Sequence, residues 1–120
     1  MSDLTLTDDT PTNYTYKFIS SKSGEILLRD SASSLDEPRT FRVSHQVASE
    51  PNGTDRHLAQ LVRVDDDAEG VPFSGAVHVV LAMPREAVAA ADMEIEWQKL
   101  KNYIDDNWSD FINGFLPSLT

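Results

Sequence analysis

Residues 13 to 20, NYTYKFIS, alternate, with Tyr14, Tyr16 and Phe18 on one side and Thr15 and Lys17 on the other. Successive side chains of a strand point to opposite faces, so this run reads as a half-buried strand. SKSG then separates it from EILLRD, and the two runs make a β-hairpin. A polar loop, SASSLDEP, ends at Pro38. In the next run Phe41, Val43 and Val47 share one side, opposite Thr40, Arg42, Ser44 and Gln46. In the one after it Leu58, Val62 and Val64 alternate with His57, Ala59, Leu61 and Arg63. The connection SEPNGTD contains Asn52-Gly53, the pair that most readily supplies the positive φ angles of a tight turn. Beyond the acidic stretch DDDAEGVPFSG, residues 65 to 75, AVHVVLAM turns Val77, Val79, Leu81 and Met83 inward and His78 and Val80 outward, and Pro84 ends it.

From Met93 the period changes. Trp97, Leu100, Ile104, Trp108, Phe111 and Phe115 follow at spacings of three and four, an apolar stripe on helix. DDNWSD interrupts it, because Asn107 with Asp110 three positions on resembles a helix N-cap, and Gly114 and Pro117 close the second helix. The pattern predicts about five strands followed by two helices, an α+β domain spanning 1 to 120 in which residues 1 to 12 are a flexible or weakly docked arm. Two helices can cover one face of such a sheet. The other face needs its own explanation.

Composition narrows the choice. A chain of 120 residues supports one modest core. No run reaches the length of a membrane span, and the polar, acidic MSDLTLTDDTPTN is unlike a secretory signal, so the expected setting is inside a cell. The absence of cysteine excludes disulfides and thiol chemistry. A net charge of −10 argues at first against nucleic acid, since phosphate binding is mainly a Lys and Arg effect. The distribution says otherwise: segments 39 to 48, 56 to 64 and 76 to 83 lack Asp and Glu, yet hold Arg39, Arg42, Arg56, Arg63 and all three histidines. A solvated sheet face is the plain explanation, because strands are poor in acid anyway. The sharper one is a donor-rich surface of Thr40, Arg42, Ser44, Gln46, His57, Arg63 and His78, suited to the phosphates and splayed bases of single-stranded RNA.

The order of elements resembles the coat proteins of single-stranded RNA bacteriophages, from about Tyr14 onward. The most telling segments are TFRVSHQ, DRHLAQLVRV and GAVHVVLAMP, the last running into proline as that family's last strand does. The resemblance implies a capsid protein that forms an obligate homodimer, edge to edge, with the helices of each subunit packed across its partner. Trp97, Leu100, Ile104, Trp108 and Phe111 would then lie in the dimer interface. It implies further an icosahedral shell around single-stranded RNA, a location in the virion, and assembly in the bacterial cytoplasm. By the same resemblance Arg42, Ser44, Gln46, His57, Arg63 and His78 contact RNA. Ala59 and Leu61 stand where a polar or basic residue is expected, and Ala76 where an aromatic could stack, so the pattern favours nonspecific genome binding over a specific hairpin operator. Residues 65 to 75 fall at the family's switch loop, with Asp65, Asp67, Glu69, Gly70, Pro72 and Gly75 as its acidic and bending positions.

Other chemistry finds less support. Asp65, Asp67 and Glu69 before Gly70 resemble the start of a calcium loop, but the chelating Glu is missing, since Ala76 stands there. No metal or cofactor is therefore expected. No phosphate-cradling glycine loop, helical His pair or nucleophile elbow is present, and the expectation is that the chain is not an enzyme. His45, among Phe41, Val43 and Val47, reads as a buried, hydrogen-bonded structural histidine, and adjacent Asp105 and Asp106 as capping and solubility. The competing class is a small acidic protein that mimics nucleic acid and neutralises a basic partner. It would need its carboxylates arrayed on one face.

Overall fold

A computed structural model describes residues 3 to 86 and 88 to 117. Six strands form one antiparallel sheet in sequence order, β1 (Leu4–Thr7), β2 (Asn13–Lys22), β3 (Glu25–Asp30), β4 (Arg39–Gln46), β5 (Thr54–Asp66) and β6 (Pro72–Pro84). Two helices follow, α1 (Ala90–Asp106) and α2 (Trp108–Ile112). The fold is α+β with one strand more than the alternation predicts. That extra strand is β1, where Leu4 and Leu6 alternate with threonines and pair with Tyr16 and Tyr14, inside the stretch expected as an arm.

Each hairpin connection sets which residues share a face. Between β2 and β3 the loop is Ser23-Gly24, with Gly24 in the left-handed region at φ 76°. A bulge between Phe18 and Ser20 then shifts the register by one residue, so Lys17 and Lys22, of opposite parity, end on the same face. Between β4 and β5 the chain turns through Glu50–Gly53, where the Gly53 N–H donates to the Glu50 carbonyl at 3.0 Å with Pro51 in the bend. Gly53 does not adopt positive φ, unlike Gly24, Gly70 and Gly114. The Asn-Gly pair marks the turn without forming the two-residue loop it suggests.

The face of Tyr16, Leu28 and Phe41 holds the core, while Leu27, Leu58, Val62, Val64 and Val80 project to the other face with Arg42. Tyr16 and Leu28, 7% and 3% exposed, form that small core, and the Phe41 ring meets Tyr16 edge-on at 6.2 Å. Asp30, 1% exposed, accepts the Ala32 N–H at 2.9 Å and starts the loop to β4. Neither helix contains a buried residue, and the two pack on each other but scarcely on the sheet. The α1/α2 break falls at Asn107, as the sequence predicts, but Asn107 does not cap α2. Its side-chain N–H donates backward to the Tyr103 carbonyl at 3.0 Å, closing α1. Gly114 at φ 82° ends α2 in a Schellman turn, with Phe115 N–H bonded to Asp110 O and Gly114 N–H to Phe111 O.

The result is extended. The Cα radius of gyration is 17.4 Å, against roughly 14 Å for a compact domain of this length. The accessible surface is 9198 Å², against roughly 6,500 Å² for a folded monomer of this mass.

Candidate nucleic-acid interface and assembly edge

The register divides the predicted RNA-contacting residues between two faces. Arg42 lies opposite Gln60, Ser44 opposite Leu58 and Gln46 opposite Arg56, while Gln60 in turn faces His78. Residues directly opposite in antiparallel strands project to the same side, so Arg42, Ser44, Gln46 and His78 share one face. His57 and Arg63 pair with His45 and Arg39 and project to the other, which also carries Phe41, Leu61 and Val77. The expectation of one surface holding all six is therefore wrong for His57 and Arg63. A two-residue loop at Asn52-Gly53 would have placed even positions of β4 beside odd positions of β5. The longer turn through Glu50–Gly53 pairs even with even.

The face bearing Arg42 lies opposite the one whose Leu61, Arg63 and Val77 line a cleft with α1 and α2, although His78 on edge strand β6 borders that cleft too. The Arg42 face gathers Lys17, Lys22, Arg29, Arg42 and Arg56, half of the ten Lys and Arg residues, and its strand carboxylates are Glu25 and Asp66. Sequence reading missed Lys17, Lys22 and Arg29 because the bulge at Ile19 hides their common side. The electrostatics also separate the two faces. Arg63 Nε donates to Asp65 at 2.6 Å, and this ion pair, with Glu37 beside it, raises the guanidinium pKa further and ties the charge down. On the open face Lys22 and Arg42 share Glu25 at 3.9 Å each, and among the described residues Lys17 and Arg56 have no carboxylate within 4.0 Å. Pairing within the chain on this face is therefore sparse.

The acidic connection is shorter than expected. β5 runs to Asp66 and β6 begins at Pro72, so Asp65, Pro72 and Gly75 are strand residues and only 67 to 71 form the loop. There the Asp67 carboxylate accepts the N–H groups of Glu69 and Val71, both at 2.9 Å, and Gly70 takes φ 80°. With Asp65 on Arg63 and Asp67 on backbone, two of the three calcium-loop carboxylates are engaged elsewhere. No group of three or more metal-ligating side chains occurs among the described residues.

β6, thirteen residues long, forms one edge of the sheet, and the four-residue β1 forms the other. α1 runs beside β6 across an open cleft of about 530 Å³, lined by Val79, Leu81, Met93, Trp97, Leu100 and Ile104. Of the predicted interface residues, Trp97 and Ile104 are half-buried, while Leu100, Trp108 and Phe111 are exposed by 50 to 55%. Their own sheet leaves this stripe open. His45 lies on the face that the sequence predicts but is exposed, with its ring nitrogen bonded to His57.

No family model matches the chain, and no curated protein is similar to it. Solved structures are similar to it in fold over essentially the whole length. A virus-like particle of bacteriophage AVE019 superposes with a TM-score of 0.75 at 15% identity, covering 99% of this chain and 98% of that one. The coat protein of bacteriophage EMS014 gives 0.72 at 18%, covering 98% and 99%. A virus-like particle of Beihai levi-like virus 21 gives 0.70 at 13%, covering 100% and 98%.

Proposed function

We propose that this chain is a bacteriophage capsid subunit, which pairs through β6 into a homodimer, builds an icosahedral shell and holds single-stranded RNA against its cationic sheet face. The observation that carries the proposal is the open β6 edge beside an apolar helix stripe that the chain's own sheet does not cover. An unpaired edge of this length is a template for another strand, and a two-fold axis satisfies both copies at once. The surplus surface, roughly 2,700 Å² per chain over a compact monomer, matches the scale of obligate dimer interfaces. Solved neighbours that are coat proteins and virus-like particles support the shell.

The RNA surface comprises Arg42, Ser44, Gln46 and His78 as the sequence suggests, extended by Lys17, Lys22, Arg29, Arg56 and Gln60. Phosphates meet the under-paired cations, and the amides and hydroxyls between them contact bases and ribose. Such a shell places the protein in the virion. The contacts are mostly to backbone charge, so packaging is largely indifferent to sequence.

Expression of the chain alone tests this. The expected product elutes at megadalton size, absorbs as a ribonucleoprotein and shows closed shells by electron microscopy. A nucleic-acid-free monomer overturns the proposal.

A further inference from the structure

Two histidines that the capsid reading leaves idle face each other across β4 and β5. His45 and His57 are register partners, and their Nδ1 atoms lie 2.8 Å apart with the rings inclined at 65°. The His45 N–H points away from β5 and donates to the Gly24 carbonyl at 2.7 Å. The pair is therefore of the narrow, non-hydrogen-bonded kind, in which facing side chains approach most closely. Gly24 holds this backbone in place, since a Cβ there would lie 2.7 Å from the His45 carbonyl oxygen.

Two nitrogens bound to one transition-metal ion at about 2.0–2.1 Å, at angles between a right angle and the tetrahedral value, sit about 2.9–3.4 Å apart. The observed separation is within a few tenths of an ångström of that bite. His45 is exposed and His57 half-buried, so the remaining coordination positions are open to water. Asp55, two residues along β5 on the same face, adds negative charge near His57 while its own oxygen accepts the Ala48 N–H and the Arg85 guanidinium. We propose that His45 and His57 form a two-imidazole site for a borderline divalent ion of the Zn²⁺, Cu²⁺ or Ni²⁺ class, clasping β4 to β5 next to the Glu50–Gly53 turn. Imidazole favours these ions over Ca²⁺ and Mg²⁺, which seek oxygen. In the metal-free pair one Nδ1 donates and the other accepts. With metal bound, both Nδ1 lone pairs point at the ion, and both protons reside on Nε2.

The site lies within one chain and stands whether or not the capsid proposal does. The full-length protein is dialysed against ZnCl₂ and, separately, CuCl₂, and bound metal is counted. One equivalent per chain, removable by EDTA, is expected. His45→Gln and His57→Gln should each weaken binding at least tenfold, and His78→Gln should leave it unchanged. The Cu²⁺ form of the unsubstituted protein should show electron paramagnetic coupling to two imidazole nitrogens, a readout that needs no variant to fold. No metal uptake, uptake indifferent to both substitutions, or uptake lost in His78→Gln overturns the site.

Discussion

Asp8 shows how much a single exposed side chain can organise. Its carboxylate accepts the Thr10 hydroxyl at 2.6 Å, the N–H groups of Thr12 and Thr10 at 2.8 and 2.9 Å, and the Tyr14 hydroxyl at 2.9 Å. These bonds, led by that from the Thr10 side chain, hold its pKa far below the usual carboxylate range, and the Tyr14 phenol is pushed up in return. A depressed folded-state pKa gives stability that is present above the unfolded value of 3.8 and is lost as pH falls below it. Asp8→Ala should therefore lower the melting temperature at pH 7, and the gap from the parent should narrow steadily in melts at pH 4, 3 and 2. Gly24 offers a second test. Gly24→Ala puts a side chain at φ 76° and within 2.7 Å of backbone, whereas Gly70→Ala at φ 80° meets nothing within 4 Å. The first should cost more than the strain of about 1–3 kcal/mol that both share, measured by denaturant midpoints.

At the scale of elements, the apolar stripe on α1 and α2 is left open to water, and the proposed homodimer would cover it. Trp108 is 50% exposed in one chain, so Trp108→Ser should barely change the secondary structure. Between chains a central tryptophan is worth about 2 kcal/mol or more, and the expected result on a sizing column is loss of the large particle. These helices and the long strands were legible because periods of two and of three to four dominate their sequence. Their pairing was less so. Alternation fixes which residues of one strand share a side, but only the connection decides which side of the next strand joins them. His57 and Arg63 read as facing with Arg42 because they alternate with apolar Leu58 and Val62, but the register sets Leu58 beside Ser44 and Val62 beside Thr40, which turns His57 and Arg63 to the other surface. The Ile19 bulge has no marker in the sequence, so the cluster of Lys17, Lys22 and Arg29 was hidden too. β1 was missed because four residues of alternation are too few to stand out.

For the molecule as a whole, the two faces make opposite electrostatic predictions. Arg42→Glu combined with Arg56→Glu should yield particles with a lower ratio of absorbance at 260 to 280 nm, because Arg42 is paired only at 3.9 Å, with a Glu25 it shares with Lys22, and Arg56 has no carboxylate within 4.0 Å among the described residues. Arg63→Glu, which removes a charge already held by Asp65, should leave RNA content near that of the parent. Equal loss in both variants would return RNA to the helix-bearing side. The rest of the net charge of −10 lies largely in loops and helices, away from the cationic surface.

With Tyr16 and Leu28 as the only buried hydrophobic residues described, one copy shuts very little away from water. In the proposed homodimer, acquiring a stable shape would be a second-order event, whose rate climbs with the square of the number of chains nearby. Ribosomes crowded on one message would supply such neighbours at once. Synthesis rate would then set when building starts.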